Sequence, residues 1–184
     1  YNRQTAADAH YWRGEAFYRL EQWDKAQRDF QAYQQQTAQR NTQMFALSEY
    51  NLGYLLFRKE NYPAARQRFI SFVATEKEKN QSLLADAYNR IADCYLNNRQ
   101  FDEAKQYYTL AEKQATVGGD YTYYQLALVA GLQKEYNQKV TLLNELAKRY
   151  PQSPYNVNAL YEKGRSYVQQ EANDKAIGTF QQLV

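Results

Sequence analysis

The sequence contains 184 residues, of which 44% are hydrophobic, and its mean hydropathy is −0.88. Its 23 basic and 20 acidic residues are mixed along the chain and give a net charge of +3. This argues against a nucleic-acid-binding protein, which usually clusters basic residues on one face. No stretch approaches the roughly 20 apolar residues of a membrane-spanning helix. With seven glycines and three prolines, the chain has few breaks, and we expect it to be mostly helical.

A pattern of small and bulky residues recurs five times along the chain, at spacings of 39, 39, 35 and 37 residues. Four copies carry an alanine and one a lysine at the same place: Ala26, Ala65, Ala104, Lys139 and Ala176. Four residues later stands a bulky side chain: Phe30, Phe69, Tyr108, Leu143 and Phe180. Twelve residues earlier stands a small one: Gly14, Gly53, Ala92, Ala127 and Gly164. Self-similarity of this period predicts a repeat array in which each unit buries one stripe against its neighbours.

The pattern predicts two antiparallel helices in each unit. Three positions after the small residue, and therefore on the same face of the first helix, stands one of Phe17, Leu56, Tyr95, Ala130 and Tyr167. A short polar turn follows, where Asp, Asn and Pro favour the start of a second helix through capping and the helix dipole. We expect an aromatic residue to close the hairpin in four units: Trp23, Tyr62, Phe101 and Tyr136.

The expected units cover residues 5–40, 43–79, 82–117, 119–151 and 155–184 of one continuous array. We attribute the two longest spacings to extra helical turns around 31–43 and 72–82. Breaks are expected at Gly118-Gly119 and around Pro151. The fourth unit should open first, because Lys139 and Ala130 replace the small and bulky residues of the other units. The chain starts with Tyr rather than Met, and we expect it to be a fragment of a longer protein.

These features resemble tetratricopeptide repeats, which combine a small residue, an aromatic residue, a turn, an alanine and a second aromatic residue. The resemblance extends over essentially the whole chain. It implies an all-α, right-handed superhelical solenoid of about five helix-turn-helix repeats. The departures are Lys139, the absence of proline after most units, and periods above the usual ~34 residues.

Two segments are similar to repeats of a narrower group, the bacterial outer-membrane assembly lipoproteins and the periplasmic Tol–Pal coordinator. They are residues 9–16, with the sequence AHYWRGEA, and residues 150–164, which include YPQSPY and ALYEKG. This similarity implies a periplasmic or outer-membrane-associated protein within a cell-envelope assembly. The alternative is a cytoplasmic regulatory array that senses a peptide and controls an attached output domain.

In tetratricopeptide proteins the partner usually lies in a concave groove lined by the first helix of each unit. Carried over by register, the predicted groove residues are Tyr11, Glu15, Tyr18, Tyr50, Tyr54, Phe57, Arg58, Asn89, Asp93, Tyr124, Tyr161 and Arg165. One groove position holds tyrosine in four of the five units. Such a row suits a binding surface because tyrosine offers rigid apolar area with a polar tip. The alternative is that these rings only pack helix against helix.

The sequence gives little support for catalysis or for a cofactor. His10 is the only histidine, and Cys94 occupies a position held by other small or apolar residues in the remaining units. We interpret Cys94 as a packing residue. No metal-ligand spacing, nucleophile–base pair or phosphate-binding glycine loop is present. The sequence therefore predicts a non-enzymatic scaffold that binds a protein or peptide segment, with no cofactor, no nucleic acid and no membrane span.

Overall fold

The computed structural model describes residues 2–76, 78–114 and 118–184, which form ten α-helices and contain no strand. The helices are α1 (Arg3–Arg19), α2 (Trp23–Gln36), α3 (Gln43–Arg58), α4 (Tyr62–Thr75), α5 (Gln81–Asn97), α6 (Phe101–Gln114), α7 (Gly119–Leu132), α8 (Tyr136–Arg149), α9 (Asn156–Gln169) and α10 (Asn173–Phe180). Successive helices pack as five hairpins, and each hairpin packs on the next. The predicted α-solenoid is confirmed. The expected end of the third unit, at residue 117, lies outside the described residues.

The turn inside every hairpin has the same geometry. The residue after the C-cap of the first helix is left-handed, with φ between 56° and 63°, although none of these residues is glycine: Glu21, Glu60, Arg99, Lys134 and Glu171. In the first unit the amide of Gln22 donates to the carbonyl of Phe17 at 2.9 Å and the amide of Glu21 to Tyr18 at 3.0 Å. The other four units repeat both bonds. Each first helix therefore ends in a Schellman motif, which turns the chain back on itself.

The start of the second helix follows the sequence expectation only in part. Asn61 accepts a hydrogen bond from the amide of Ala64 at 3.4 Å, and Pro63 lies in the first turn of α4. The cap positions of α2, α8 and α10 make no side-chain cap hydrogen bond. Acidic residues do lie in the first turn of α2, α6 and α10, where they complement the helix dipole.

The small residue of each first helix is matched to the bulky residue of the second. A Cβ added at Gly53 would lie 2.8 Å from the ring of Phe69, which is closer than van der Waals contact allows. At Gly14 and Gly164 the corresponding distances to the phenylalanine of the same hairpin are 3.0 and 2.6 Å. Where the small residue is alanine, the partner is Tyr108 or Leu143 instead. Glycine thus occurs where a phenylalanine ring lies directly on the first helix.

The attribution of the long spacings to extra turns at 31–43 and 72–82 is wrong. The second helices α2, α4, α6 and α8 all have 14 residues. The extra residues lie in α3 and α5, which have 16 and 17 residues against 14 in α7 and α9, and in the linkers between units. Both α2 and α4 end in an extended residue, Thr37 and Glu76, which stops the helix.

One ion pair between the two helices of a hairpin exchanges its charges from the first unit to the second. In the first unit Asp29 accepts from Nε and Nη2 of Arg13, both at 2.7 Å, and lies 2.9 Å from Nδ1 of His10. In the second unit the charges are exchanged, because Glu49 on the first helix pairs with Arg68 on the second at 3.0 Å. Both carboxylates are buried. The only histidine thus serves a hairpin contact.

Candidate functional site

The first helices of the units carry the predicted groove residues, and we call the surface formed by these helices the groove face. Side-chain hydrogen bonds cross it from unit to unit. Asn51 on α3 donates to Glu15 on α1, Tyr50 on α3 donates to Asp86 on α5 at 2.6 Å, and Tyr121 on α7 donates to Asp93 on α5 at 2.7 Å. The groove face is therefore held together by polar contacts in its first four units.

A buried polar network occupies the middle of the groove face. Asp86 accepts hydrogen bonds from the hydroxyls of Tyr50 and Tyr54. Arg90 pairs with Asp93 at 2.8 Å and lies 3.8 Å from Asp86. This network joins three units through hydrogen bonds and ion pairs, although Nε of Arg90 and Oδ2 of Asp93 are buried without a hydrogen-bond partner. Buried polar contacts of this kind favour one relative placement of the helices.

Asp93 is the most enclosed member of this network. Its carboxylate accepts from the hydroxyls of Tyr108 and Tyr121 and pairs with Arg90. Burial nevertheless raises the pKa of Asp93 above its usual value, because the cost of removing the charge from water outweighs these favourable partners. Predicted from the sequence as a groove residue, Asp93 is buried and lies beneath the surface of the groove face.

The tyrosine row, which consists of Tyr11, Tyr50, Tyr124 and Tyr161 with Asn89 in the third unit, is mostly internal. Tyr11 is buried against Phe30 and Tyr33, with ring centroids at 5.9 and 5.4 Å, and Tyr50 is half-buried. The third-unit member of the row, Asn89, is buried and accepts from Thr122 at 3.0 Å. These residues pack between helices. A binding role for them stays a prediction.

The last two members of the row are more open. Tyr124 is half-buried and stacks on Tyr155, with ring centroids 5.1 Å apart. Tyr161 is 51% exposed, and its ring lies 6.0 Å from that of Phe180. Tyr161 is therefore the one member of the row that is exposed, and Tyr124 is half-buried as Tyr50 is.

The other predicted groove residues of the first two units fill the spaces between helices. Tyr18 and Trp23 contact each other edge to face at 5.3 Å, and the guanidinium of Arg58 lies 4.2 Å from the Trp23 ring centroid. Phe57 and Tyr62 form the same edge-to-face pair at 5.3 Å in the second unit. The aromatic residue at the start of the second helix thus packs on a bulky residue near the end of the first.

The fourth unit lacks that bulky residue. Gly131 stands at the position that holds Tyr18, Phe57, Leu96 and Val168 in the other units. A cavity of about 430 Å³ lies there, between α7, α8 and α9. Its lining is formed by Leu128, Gly131, Leu132, Tyr136, Lys139, Glu162, Arg165, Ser166 and Gln169. We call it the α7–α9 cavity.

Lys139 runs along this cavity, and the structure explains why lysine replaces the usual alanine. A Cβ at Gly131 would lie 2.9 Å from Cδ of Lys139, so the lysine stem occupies space that the glycine leaves free. Its ammonium pairs with Glu162 on the next unit; the two side chains are only 9% and 13% exposed. Glu162 also accepts from Arg165 at 2.9 Å.

The ionisation of Glu162 follows from these contacts. Burial alone would raise the pKa of this carboxyl, but the hydrogen bonds and charges of Lys139 and Arg165 outweigh burial and hold the pKa below its ordinary value. The sequence prediction included Arg165 but missed Glu162, Lys139 as a groove residue, and Gly131. The sequence does contain a signal for Gly131, because the equivalent position of the other four units holds a bulky residue.

Other reactive groups in the described ranges are engaged in packing. Cys94 is fully buried in the core of the second and third units, as expected for a packing residue, and burial raises the pKa of its thiol to about 12. Among residues 2–76, 78–114 and 118–184 there is no group of three His, Cys, Asp or Glu side chains that could hold a metal ion. Over the same ranges, no helix has the length and apolar character to cross a membrane.

Comparison with known families agrees with this architecture. One tetratricopeptide-repeat model matches residues 85–115, and a second matches residues 8–36, 121–153 and 158–184. Together the matches cover more than half of the chain. The chain belongs to the tetratricopeptide repeat family. Tetratricopeptide proteins are generally non-catalytic scaffolds with protein or peptide partners.

Solved structures show the same tetratricopeptide fold. The chain is similar to MamA, with a TM-score of 0.80 and 18% identity over 96% of this chain and 89% of that one. It is similar to YrrB, described as a tetratricopeptide protein with an unusual peptide-binding site, with a TM-score of 0.74 and 15% identity over 92% and 80% of the two chains.

A third similar structure is the C-terminal part of a repeat-containing protein from Cytophaga hutchinsonii. Its TM-score is 0.75 at 20% identity, over 96% of this chain and 66% of that one. No protein of curated function matches the sequence significantly. At these identities the likeness establishes the tetratricopeptide fold alone.

Proposed function

We propose that this chain is a non-catalytic scaffold that binds a peptide or protein segment on its groove face, at the last two units. The observation that carries the proposal is the difference between the two halves of that face. In the first four units its polar groups bond to one another, and in the first two units Tyr18 and Phe57 fill the spaces between helices, while Trp12 on α1 is 62% exposed. In the last two units, apolar side chains and a cavity stay open to solvent.

Exposed apolar side chains lie at the cavity and next to it: Leu132 lines the cavity, and Tyr161 and Val168 precede its lining residues Glu162 and Gln169 on α9. Leu132 at the end of α7 is 54% exposed, Val168 on α9 is 48% exposed and Tyr161 is 51% exposed. Exposed apolar side chains gathered beside a cavity mark an interaction surface more strongly than scattered ones do. YrrB, which shares the fold, is described as having a peptide-binding site.

Photo-crosslinking within the intact protein tests this proposal. A photoreactive phenylalanine analogue replaces Leu132, and in a control it replaces Gln106, which is exposed on the second helix α6. We expect a discrete crosslinked protein from position 132 and none from position 106. Equal crosslinking from both positions, or a partner captured only from position 106, would contradict binding at the groove face.

The setting we propose is a bacterial cell-envelope assembly, in the periplasm or at the outer membrane. Its support is the similarity of residues 9–16 and 150–164 to repeats of envelope proteins. Fractionation of cells that express the intact protein tests it. Recovery in the periplasmic or outer-membrane fraction is expected, whereas recovery with cytoplasmic proteins would favour the regulatory alternative.

A further inference from the structure

We infer that the α7–α9 cavity is a subsite for two neighbouring side chains of the partner, one bulky and apolar and one acidic. This rests on the proposed function and gives the chemistry of the segment that is bound. The floor of the subsite is the space above Gly131, and its charged wall is formed by Lys139, Glu162 and Arg165. In the first and second units the equivalent space is filled by Tyr18 and Phe57.

The apolar half of the inference follows from comparison between units. Tyr18 and Phe57 each pack edge to face on the aromatic residue at the start of the following helix. Tyr136 is the equivalent aromatic residue in the fourth unit, but Gly131 supplies no ring or branched chain against it. A partner side chain of similar size would occupy this place and contact Tyr136, Leu128 and Leu132, all of which line the cavity.

The size of the cavity agrees with that occupant. A volume of about 430 Å³ is within the range of small ligand pockets and holds one large side chain with part of a second. Lys139 lies over Gly131, because its Cδ and Nζ would be 2.9 and 3.1 Å from a Cβ at that position, and its ammonium pairs with Glu162 on α9. The end of the lysine therefore forms part of the lining, and the cavity is the space that remains beside it.

The acidic half of the inference follows from the charges. Lys139 and Arg165 are cationic and Glu162 is the one carboxylate among the lining residues, so the cavity carries an excess positive charge. Both oxygens of Glu162 are engaged, Oε2 by Lys139 and Oε1 by Arg165. A basic partner side chain would have to compete for an occupied carboxylate, whereas an acidic one meets complementary charge.

Arg165 is the group that would receive the acidic side chain. It is 60% exposed at the side chain and lies at the edge of the cavity. Its hydrogen bond to Glu162 uses Nη1, and a guanidinium carries five N–H donors, so it can hold a second carboxylate at the same time. The apolar side chain is then placed on the floor and the acidic one at the rim.

Selection from a displayed library of random dodecapeptides tests the inference directly. The intact protein is the target, and we expect enriched sequences to place Asp or Glu beside Phe, Tyr, Trp or Leu. Affinities of the enriched peptides are then measured by fluorescence anisotropy. The double variant Gly131→Leu/Lys139→Ala should weaken their binding roughly tenfold or more, because the added leucine fills the floor of the subsite.

This double variant is chosen because it should fold. It gives the fourth unit the combination that the third unit already has, Leu96 with Ala104, and it removes the close approach between position 131 and the lysine stem. The control is Gly178→Leu, which adds the same side chain in α10, where a Cβ meets nothing within 4 Å. The control should leave peptide affinity unchanged.

Two further results separate this inference from the proposed function. Arg165→Ala should weaken the acidic peptides roughly tenfold and leave peptides with Asn or Gln in place of the acid little changed. Enriched peptides that are basic, or that bind the double variant as well as the parent protein, would overturn the subsite while leaving binding to the groove face intact. A library that yields no binder counts against both proposals.

Discussion

Lys139 and Glu162 form an ion pair that joins the second helix of the fourth unit to the first helix of the fifth, with side chains 9% and 13% exposed. The lysine replaces an alanine that is otherwise constant in the array, and Gly131 makes room for it. Two departures from the repeat pattern therefore compensate each other, and both residues line the α7–α9 cavity.

Replacing Glu162 by Gln should destabilise the protein by about 2 kcal/mol. The change keeps the shape of the side chain but leaves Lys139 with an uncompensated charge in a nearly enclosed place, and breaking one partner of such a pair is costly. Urea unfolding monitored by circular dichroism measures the effect. The matched control is Glu145→Gln, whose partner Arg149 is 53% exposed; a loss below about 1 kcal/mol is expected there. Equal losses in the two variants would show that Lys139 does not depend on Glu162.

Replacing Gly53 by Ala should destabilise the protein by about 1–2 kcal/mol. The new methyl group would lie 2.8 Å from the Phe69 ring, and overpacking of this kind costs more than the gain of about 1 kcal/mol in helix propensity. Gly178→Ala is the control, since its Cβ meets nothing and only the propensity gain applies. In a Phe69→Leu background, which imitates the Ala127–Leu143 pair, we expect Gly53→Ala to cost much less. An unchanged cost in that background would rule out the contact with Phe69 as the reason for the glycine.

Replacing Arg99 by Gly should stabilise the protein by about 0.5–1 kcal/mol. Arg99 has φ of 59°, a conformation that costs a residue with a Cβ about 1–2 kcal/mol, while glycine adds a smaller entropic cost of about 0.5–1 kcal/mol. Thermal unfolding provides the measurement. Arg99→Ala keeps the Cβ and removes the rest of the side chain, so it should change stability little. If alanine stabilises as much as glycine, the arginine side chain rather than the backbone is responsible.

Stability should fall in acid partly because of Asp29. Hydrogen bonds from Arg13 lower the pKa of Asp29 most strongly. Burial raises it, but the contact with His10 lowers it further, and the net result is a pKa below the ordinary value of 3.8. A carboxyl whose folded-state pKa is depressed contributes stability above the unfolded-state pKa and loses it as pH falls through the folded-state pKa. The stability difference between the parent protein and Asp29→Asn should therefore be largest above about pH 5 and shrink as the pH falls further.

Urea unfolding between pH 2 and 7 tests that expectation. Asp24→Asn serves as the control, because the pair between Asp24 and Lys59 is also formed at 2.8 Å but is largely exposed, and screening by solvent should leave only a weak pH dependence. A difference for Asp29→Asn that stays constant through pH 2–4 would show that the ion pair with Arg13 does not stabilise the fold.

Hydrogen exchange tests the expectation that the fourth unit opens first. That expectation rested on Lys139 and Ala130 standing in place of the small and bulky residues of the other units. The structure pairs Lys139 with Glu162. Leu143 and Leu146 on the same helix are fully packed. We therefore expect the amides of α8 to be protected as well as those of α6, and the eight-residue α10 to exchange sooner. Faster exchange in α8 than in both α6 and α10 would support the original expectation.

Much of the fold could be predicted from the sequence because each position of the repeat occurs five times along the chain. The glycine–phenylalanine match of Gly53 and Phe69 and the aromatic residues at the start of the second helices follow from that register. The hairpin turns were less readable. Their left-handed position is held by Glu60 or Arg99 rather than by glycine, so the residue types gave no signal for the Schellman motif.

The predicted groove residues illustrate the limit of register alone. Tyr11 and Asn89 occupy equivalent positions to Tyr161, yet the first two are buried and the last is exposed. Register gives the face of a helix to which a side chain belongs. How far that side chain is buried depends on the size and charge of residues in the neighbouring unit. Tyr50, for example, donates a hydrogen bond to Asp86 of the next unit.

By itself the sequence determined that this protein is an array of helical hairpins, because helix periodicity, turns and the small-to-bulky match are local properties that each unit repeats. The tertiary structure decided where the array is open. The cavity exists because Gly131, Lys139 and Glu162 come from three helices whose side chains meet only when the units stack. The shape of the cavity and the position of the Lys139 ammonium therefore depend on these three residues together.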